Sequence, residues 1–196
     1  MSDHSRSSNP GRLRPALFAL ALGISACGDP LTLPPATQET VELSFTLYAL
    51  TNTSVGTPSA YNMVTLATVR TDRSIDLDFA VDMVGGAAGD STVVIIPRGA
   101  LGFQLDGGVQ LAAEPFDSIA LAPVNGYVED APLPVDSGDV VLAASRRQQC
   151  NFGINRPRYA KLRVESVNRA QRSIAFKIRI NPNCGYRGLA PGIPSN

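Results

Sequence analysis

Residues 172–180 of this chain read Arg172-Ser173-Ile174-Ala175-Phe176-Lys177-Ile178-Arg179-Ile180. The even-numbered positions from Ile174 onward are apolar, whereas the positions between them are small or basic. Because successive side chains of a β-strand point to opposite faces, this period of two predicts a strand with one buried face. The segment 159–167 has a similar pattern, and Asn168-Arg169-Ala170-Gln171 can turn the chain between the two. The chain therefore ends in a predicted β-hairpin.

Strand patterns of the same kind recur upstream. Residues 41–49 alternate between apolar and polar side chains, and residues 75–83 carry an apolar side chain at every odd position. Weaker strand candidates, including a hairpin around Asp106-Gly107-Gly108, lie at 62–70, 92–96, 101–105, 109–113, 118–122 and 139–144. No segment of useful length has a helical period. About nine or ten short strands predict an all-β fold, a single antiparallel β-sandwich or barrel-like domain over residues 41–187, followed by a C-terminal tail at 188–196.

The N-terminal residues have the organisation of an export signal. Three arginines (Arg6, Arg12 and Arg14) precede an apolar stretch at 16–24, and small residues follow it. These are the parts of a secretory signal peptide, and the apolar stretch is about half the ~20 residues that a membrane-spanning helix needs. Cys27 directly after Ile24-Ser25-Ala26 resembles the lipobox of bacterial lipoproteins. The resemblance implies that residues 1–26 are a lipoprotein signal peptide and that Cys27 is the lipidated first residue of the mature chain.

The number of cysteines agrees with this interpretation. The chain has three, Cys27, Cys150 and Cys184, and a secreted protein rarely keeps an odd free cysteine. Lipidation of Cys27 leaves a pair that flanks the last hairpin, so a disulfide in an oxidising compartment would staple its open end. A redox or metal role for the pair lacks a Cys-x-x-Cys spacing. The alternative is an ordinary signal peptide, with Cys27 an incidental thiol.

The segment after Cys27 indicates how the domain is attached. Residues 28–40 contain three prolines and no apolar period, which predicts that residues 27–40 are a lipidated cysteine followed by a flexible tether. In enteric bacteria, an aspartate directly after the lipidated cysteine favours retention in the inner membrane. Here Gly28 takes that position and Asp29 comes one residue later. In a Gram-negative host we therefore expect a lipid-anchored protein of the cell envelope, in the outer membrane.

Charge is distributed unevenly along the chain. Residues 28–139 hold fifteen carboxylates against three arginines, a net −12, whereas residues 140–196 hold eleven basic residues against Glu165, a net +10. One interpretation is a basic face for a polyanion such as lipopolysaccharide phosphates, with Arg156, Arg158 and Arg163 as contributors. The other is attraction between the two parts of one domain, which we favour. Nucleic acid is not an expected partner, because aromatic residues do not interleave the basic ones.

Few residues of the predicted mature chain suggest catalysis. The only histidine, His4, lies in the signal peptide, which leaves no histidine for a catalytic triad or a metal site. Lys161 and Lys177 could serve serine–lysine chemistry, but no Ser-x-x-Lys motif accompanies them. Asp76, Asp78 and Asp82 are predicted on one strand face, which suits a carboxylate-based hydrolase or Ca²⁺ site, or simply a solvated outer face.

Two short segments suggest a further relationship. Asp76-Leu77-Asp78-Phe79 and Tyr159-Ala160-Lys161-Leu162-Arg163-Val164 resemble strands of HmuY-type haem-binding lipoproteins, which are lipid-anchored and all-β. The resemblance implies haem held by histidine or methionine, and Met63 and Met83 are the sulfur ligands that the predicted mature chain offers. Apolar methionines on strands are usually core residues.

Together these patterns predict a non-enzymatic, lipid-anchored envelope protein with a binding or structural role and without a cofactor. Its expected partners are the membrane, through the acyl chains, and an envelope protein, a polyanion or a small hydrophobic ligand. The first alternative is a carrier of a hydrophobic or haem-like ligand, which needs an apolar cavity in the sandwich core or between loops. The second alternative is a carboxylate-based hydrolase.

Overall fold

The computed structural model describes residues 33–86, 90–150 and 153–195. These residues form short β-strands joined by turns, with two single-turn 3₁₀ helices at Arg98–Leu101 and Phe116–Ser118. The strands are β1 (Val41–Tyr48), β2 (Ala60–Asn62), β3 (Ala67–Val69), β4 (Phe79–Val84), β5 (Thr92–Pro97), β6 (Gly108–Leu111), β7 (Leu133–Val135), β8 (Val140–Ala144), β9 (Gln148–Gln149), β10 (Asn155–Arg156), β11 (Tyr159–Asn168) and β12 (Ser173–Ile180). No helix in the described ranges is long and apolar enough to cross a membrane.

The strands form two five-stranded antiparallel sheets that pack face to face. The first sheet has the order β1-β12-β11-β8-β6, and the second has the order β3-β2-β4-β5-β7. The short β9 and β10 form a separate two-stranded ribbon at one end. The fold is a β-sandwich, as the sequence predicts.

The core lies between the two sheets and is centred on stacked aromatic rings. Phe45 of β1 stacks on Tyr61 of β2 at 4.2 Å between ring centroids, and on Phe176 of β12 at 5.5 Å. Phe79 of β4 lies 5.8 Å from Tyr61. Burial raises the pKa of Tyr61 to about 12, because the phenolate would be poorly solvated there. These rings fill the centre of the sandwich, where an internal ligand would have to lie.

The outer face of the first sheet is covered by a second cluster around Phe116. This ring packs with Ile119, Leu142 and Leu189, and the Lys161 ammonium lies 4.8 Å from its centroid. The guanidinium carbons of Arg163 and Arg179 and the Lys177 ammonium also lie over the ring, at 5.6–5.7 Å. Cationic side chains over an aromatic face are attracted by the ring quadrupole. Much of the basic character of β11 and β12 therefore surrounds one buried phenylalanine.

Ion pairs join the acidic and basic parts of the chain. Arg146 binds the buried Asp78 at 3.3 Å, and Arg172 binds the buried Asp82 at 3.5 Å. Glu42 pairs with both Lys177 and Arg179. In all, five basic residues of 140–196 pair with carboxylates of 28–139: Arg146, Arg169, Arg172, Lys177 and Arg179. Attraction within one domain accounts for these five residues.

Several predicted strands are present with close to their predicted bounds. They are 41–49, 92–96, 139–144 and both strands of the last hairpin, whose turn lies at 169–172. The predicted strand at 62–70 is instead two short strands, β2 and β3, paired through Ala60–Val69 and Asn62–Ala67.

Other strand predictions are wrong. Leu101 ends a 3₁₀ helix and residues 102–105 form no strand, because Gly102 adopts a φ of 88° and donates its N–H to the carbonyls of Arg98 and Gly99. The expected hairpin at Asp106-Gly107-Gly108 is absent among the described residues, and β6 pairs with β8 instead. Residues 118–122 contribute only a bridge from Leu121 to Gly188. Conversely, β7 lies outside the strands that the sequence predicts.

The aromatic centre of the core is the position most sensitive to substitution. Phe176→Ala should lower the free energy of unfolding by about 3–5 kcal/mol, because it removes a buried ring and leaves a cavity between the sheets. Thr46→Ala, on an exposed position of the neighbouring strand, should change it by no more than about 0.5 kcal/mol. Urea unfolding of both variants measures the difference. Equal effects would contradict the placement of Phe176 at the centre of the sandwich.

Candidate binding cleft beside the disulfide

Three segments meet at one end of the sandwich. They are the N-terminal segment 33–40, the β9–β10 ribbon and the loop after β12. Cys150, which follows β9, is joined by a disulfide to Cys184, and the two Cα atoms are 5.8 Å apart. The predicted pairing is therefore confirmed. The bond holds the ribbon against the loop and closes the open end of the last hairpin.

Asn183 and Tyr186 fix the N-terminal segment to this loop. Asn183 Oδ1 accepts the backbone N–H groups of Thr37 and Gln38 at 3.1 Å each, and its Nδ2 donates to the Gln38 carbonyl at 2.7 Å. The Tyr186 hydroxyl donates to the Pro34 carbonyl. Residues 34–40, which the sequence assigns to a flexible tether, are thus bound to the domain. The Asn183 side chain alone thus satisfies three backbone groups of the N-terminal segment.

The packed domain also extends further toward the C-terminus than the predicted end at residue 187. Leu189 is fully buried in the cluster around Phe116, and its N–H donates to the Ala120 carbonyl at 2.8 Å. The Thr40 N–H donates to the Gly192 carbonyl at 3.0 Å. The segment 188–192 is therefore packed and hydrogen-bonded to the domain, where the sequence predicts a tail.

Gly185 allows these segments to approach closely. Its φ is 83°, and a Cβ at this position would lie 3.2 Å from side-chain atoms of both Arg156 and Leu33. Its N–H donates to the Pro157 carbonyl at 2.9 Å. Only glycine adopts this backbone conformation without strain. The position brings the loop, the ribbon and the N-terminal segment together.

A cavity of about 380 Å³ lies where the three segments meet. Prolines, a tyrosine and the disulfide form its apolar surface, and amide and guanidinium groups form its polar surface. The lining residues are Pro34, Pro35, Ala36, Thr37, Gln38, Gln148, Gln149, Cys150, Arg158, Pro182, Asn183, Cys184 and Tyr186. No carboxylate is among the described residues that line it. The cleft is large enough for a small ligand and carries positive charge.

Two buried hydrogen-bond donors of the cleft residues lack an acceptor. Arg158 Nε and Gln148 Nε2 are inaccessible to solvent and have no hydrogen-bond partner within the described ranges. Arg158 is otherwise fixed, since its Nη1 donates to the Val64 carbonyl at 2.7 Å and its backbone N–H donates to Ser145 Oγ at 2.8 Å. Burial of a donor without an acceptor is costly.

The charge of Arg158 is only partly compensated by the protein. Burial lowers the pKa of its guanidinium, and the negative charge of Asp78 acts in the opposite direction. Asp78 is itself engaged elsewhere, because it accepts hydrogen bonds from the backbone N–H groups of Arg146 and Met63 at 2.8 and 2.6 Å. Burial raises the pKa of Asp78, against the effect of these bonds and of Arg146. The charge of Asp78 therefore offsets only part of the cost of burying the Arg158 guanidinium.

Further arginines surround this end of the domain. Arg156 lies opposite Gln148 in the β9–β10 ladder, and its carbonyl oxygen is 3.6 Å from Cys184 Sγ. Burial raises the pKa of Tyr159, whereas the charges of Arg187, Arg147 and Arg156 act to lower it. These three arginines therefore lie near the Tyr159 hydroxyl. Of the three arginines named for a polyanion site, Arg156 and Arg158 lie here, but Arg163 is paired with Glu165.

The other candidate residues are placed apart. Cys27, the signal peptide and the first part of the tether lie outside the described residues. The Asp76 side chain is 77% exposed, but Asp78 and Asp82 are buried in ion pairs with arginines. The expectation of one solvated face is therefore wrong, because strand β4 begins only at Phe79 and Asp78 folds inward before it. The three aspartates do not form one carboxylate site.

The remaining candidates belong to the core or to ion pairs. Met63 and Met83 are buried in the sandwich core. Lys161 is completely buried, its Nζ donates to the Ile119 carbonyl at 2.7 Å, and burial lowers its pKa. Lys177 pairs with Glu42 at 2.7 Å. The described residues contain no group of three or more His, Cys, Asp or Glu side chains that could hold a metal ion.

No family model matches this chain, and no curated protein sequence matches it either.

Removal of the disulfide should destabilise the domain. The double variant Cys150→Ser/Cys184→Ser should lose about 3–4 kcal/mol of unfolding free energy, because the bond closes a loop with a sequence separation of 34 residues. Urea unfolding of the oxidised protein measures this loss. Reductant should lower the midpoint of the wild type to that of the variant and leave the variant unchanged. A reductant effect on the variant would show that another group is responsible.

The buried carboxylate of Asp78 should make stability depend on pH. The folded state raises its pKa above the ordinary value of about 3.9, so above that value the folded state binds more protons than the unfolded state. The unfolding free energy of the wild type relative to Asp78→Asn should therefore fall as the pH rises from about 3.9. Urea unfolding of both proteins over a pH series measures this difference. A rise with pH would mean that the hydrogen bonds from Arg146 and Met63 outweigh burial.

Proposed function

We propose that this chain is a lipid-anchored protein of the bacterial cell envelope, held by acyl chains on Cys27, with a non-enzymatic binding role. The observation that carries the proposal is the Cys150–Cys184 disulfide. A disulfide that closes a small domain is typical of proteins exported to an oxidising compartment. It also accounts for two of the three cysteines, so that Cys27 alone is left beside the lipobox.

The placement of the candidate catalytic groups supports binding over catalysis. Asp78 and Asp82 are engaged by arginines, and Lys161 is covered by Phe116 and Ile119. A carrier of a hydrophobic or haem-like ligand has less support. Its cavity would compete with the stacked rings of the core, and Met63 and Met83 are packed among them. The cleft beside the disulfide offers a cavity at the surface instead.

The anchor and the cleft are close in sequence. Pro34 lies seven positions after Cys27 along the chain, and an extended chain of that length spans at most about 25 Å. An acyl anchor on Cys27 would keep the cleft within roughly this distance of the bilayer. One acyl chain holds a protein only weakly, whereas the several chains of a bacterial lipoprotein hold it durably. We place the protein in the outer membrane, since Gly28 and not aspartate follows Cys27.

Metabolic labelling tests the anchor directly. The full-length chain, expressed in a Gram-negative bacterium with labelled palmitate, should carry the label and fractionate with the outer membrane. Cys27→Ser should lose both properties. The double variant Cys150→Ser/Cys184→Ser should keep the label, because only the N-terminal cysteine is acylated. An unlabelled wild-type chain that is cut elsewhere than before Cys27 would overturn the proposal.

A further inference from the structure

We infer that the β9–β10 ribbon is a movable wall of the cleft, latched by the Cys150–Cys184 disulfide, and that reduction of this bond by a dithiol opens the cleft while the sandwich stays folded. The inference goes beyond the binding role proposed above, and it does not depend on the acyl anchor. It assigns the disulfide a second role, the control of access to the cavity.

Hydrogen bonds hold the ribbon at its base. The Ser145 N–H donates to the Arg158 carbonyl at 2.9 Å, and the Arg158 N–H donates to Ser145 Oγ at 2.8 Å. Next to them, the Gly185 N–H donates to the Pro157 carbonyl at 2.9 Å. These bonds fix the chain where it enters and leaves the ribbon, so the base can serve as a hinge.

Above the base, the disulfide is the one bond from the ribbon to the rest of the described residues. The hydrogen bonds of the ribbon's backbone stay within it, as from the Cys150 N–H to the Ile154 carbonyl at 3.1 Å, and no described ion pair includes a ribbon residue. Cys184 Sγ lies 4.0 and 3.6 Å from the carbonyl oxygens of Gln148 and Arg156, but a disulfide sulfur has no proton to donate. The position of the ribbon therefore depends on its bond to Cys184.

The ribbon is too short to keep its place without this bond. β9 and β10 contribute two residues each, and Gln149, Asn155 and Arg156 are exposed. An isolated two-stranded hairpin is at best marginally stable in water. The β2–β3 hairpin is similar in size, but β2 also pairs with β4 of the second sheet. The ribbon pairs with no third strand among the described residues.

The ribbon bounds the cavity on one side. Gln148, Gln149 and Cys150 line the cavity of about 380 Å³ together with the N-terminal segment and the loop after β12. The latter two are joined to each other by the hydrogen bonds of Asn183 and Tyr186, which do not involve the ribbon. Displacement of the ribbon therefore widens the cavity and leaves its other walls in place.

The disulfide lies where a reductant can reach it. Both cysteines line the cavity, and Cys184 is half-buried whereas Cys150 is buried. A thiolate of the dithiol attacks Cys184 Sγ, forms a mixed disulfide there and releases Cys150 as a thiolate, which takes a proton from water. The second thiol of the reductant then displaces Cys184. Two thiols remain on the chain, and the reductant leaves as a disulfide.

Amide hydrogen exchange, measured by NMR, tests the latch. The full chain, extracted in a non-ionic detergent, is compared before and after reduction with dithiothreitol. Reduction should bring the amides of Cys150 and Gly153 to within about tenfold of the exchange rates of an unstructured peptide. The amides of β12 should remain protected by more than about a hundredfold, which shows that the sandwich is folded. The amides of the β2–β3 hairpin should change no more than those of β12.

Variants separate the latch from other effects of the reductant. Cys150→Ser/Cys184→Ser should show the exchange pattern of the reduced wild type, and dithiothreitol should not alter it. Arg147 is exposed beside β9, so trypsin should cleave after it faster in this variant and in the reduced wild type than in the oxidised wild type. Arg147→Gln removes that cleavage and identifies it.

Two results would overturn the inference. Ribbon amides that stay as protected after reduction as before would show that other contacts hold the ribbon. Loss of protection in β12 together with the ribbon would show that the disulfide staples the whole domain. Neither result affects palmitate labelling of Cys27, whereas an unlabelled chain whose ribbon opens on reduction would overturn only the anchor.

Discussion

The domain depends on the burial of one face of β12. Ile174, Phe176, Ile178 and Ile180 are all fully buried, and they form the centre of the first sheet between β1 and β11. A strand with neighbours on both sides satisfies its backbone groups, so its side chains determine which face points inward. Phe45 stacks on Phe176 of this face and on Tyr61, which in turn lies against Phe79. These ring contacts join the first sheet to the second.

Charge has two roles in this molecule. Five of the eleven basic residues of the C-terminal part pair with carboxylates of the N-terminal part, as in the pairs of Arg146 with Asp78 and Arg172 with Asp82. These buried pairs orient the segments before β4 and after β11, because a buried charge without its partner is costly. Beside the disulfide this pairing stops. There Arg158 is fixed by neutral oxygen atoms, and the charge of Asp78 offsets only part of the burial of its guanidinium.

The cleft is a consequence of how the chain ends are held. The loop after β12 contacts both other segments. Cys184 is bonded to Cys150 at the end of β9, Gly185 lies close to Arg156 of the ribbon, and Asn183 binds residues 37–38. Because three segments converge on one short loop, they cannot pack as tightly as two sheets do. The gap between these segments is the cavity. Pro34 in its lining is close in sequence to Cys27, the residue that we propose carries the anchor.

Local sequence patterns were enough to predict the all-β class, the last hairpin and the pairing of Cys150 with Cys184, because a period of two and cysteine parity do not depend on distant contacts. The same patterns failed at 101–105, where the left-handed Gly102 ends a 3₁₀ helix, and at 118–122, which packs with Phe116 on the outer face of the first sheet. These effects outweigh the local strand preference. Asp78 was misplaced because its inward turn is stabilised by Arg146, 68 residues away. For the cleft, the sequence offered only the basic character of Arg156 and Arg158. Tertiary structure alone decided that Gln148 and Arg158 share a cavity, since unmatched donors can be recognised only once every nearby acceptor has a position.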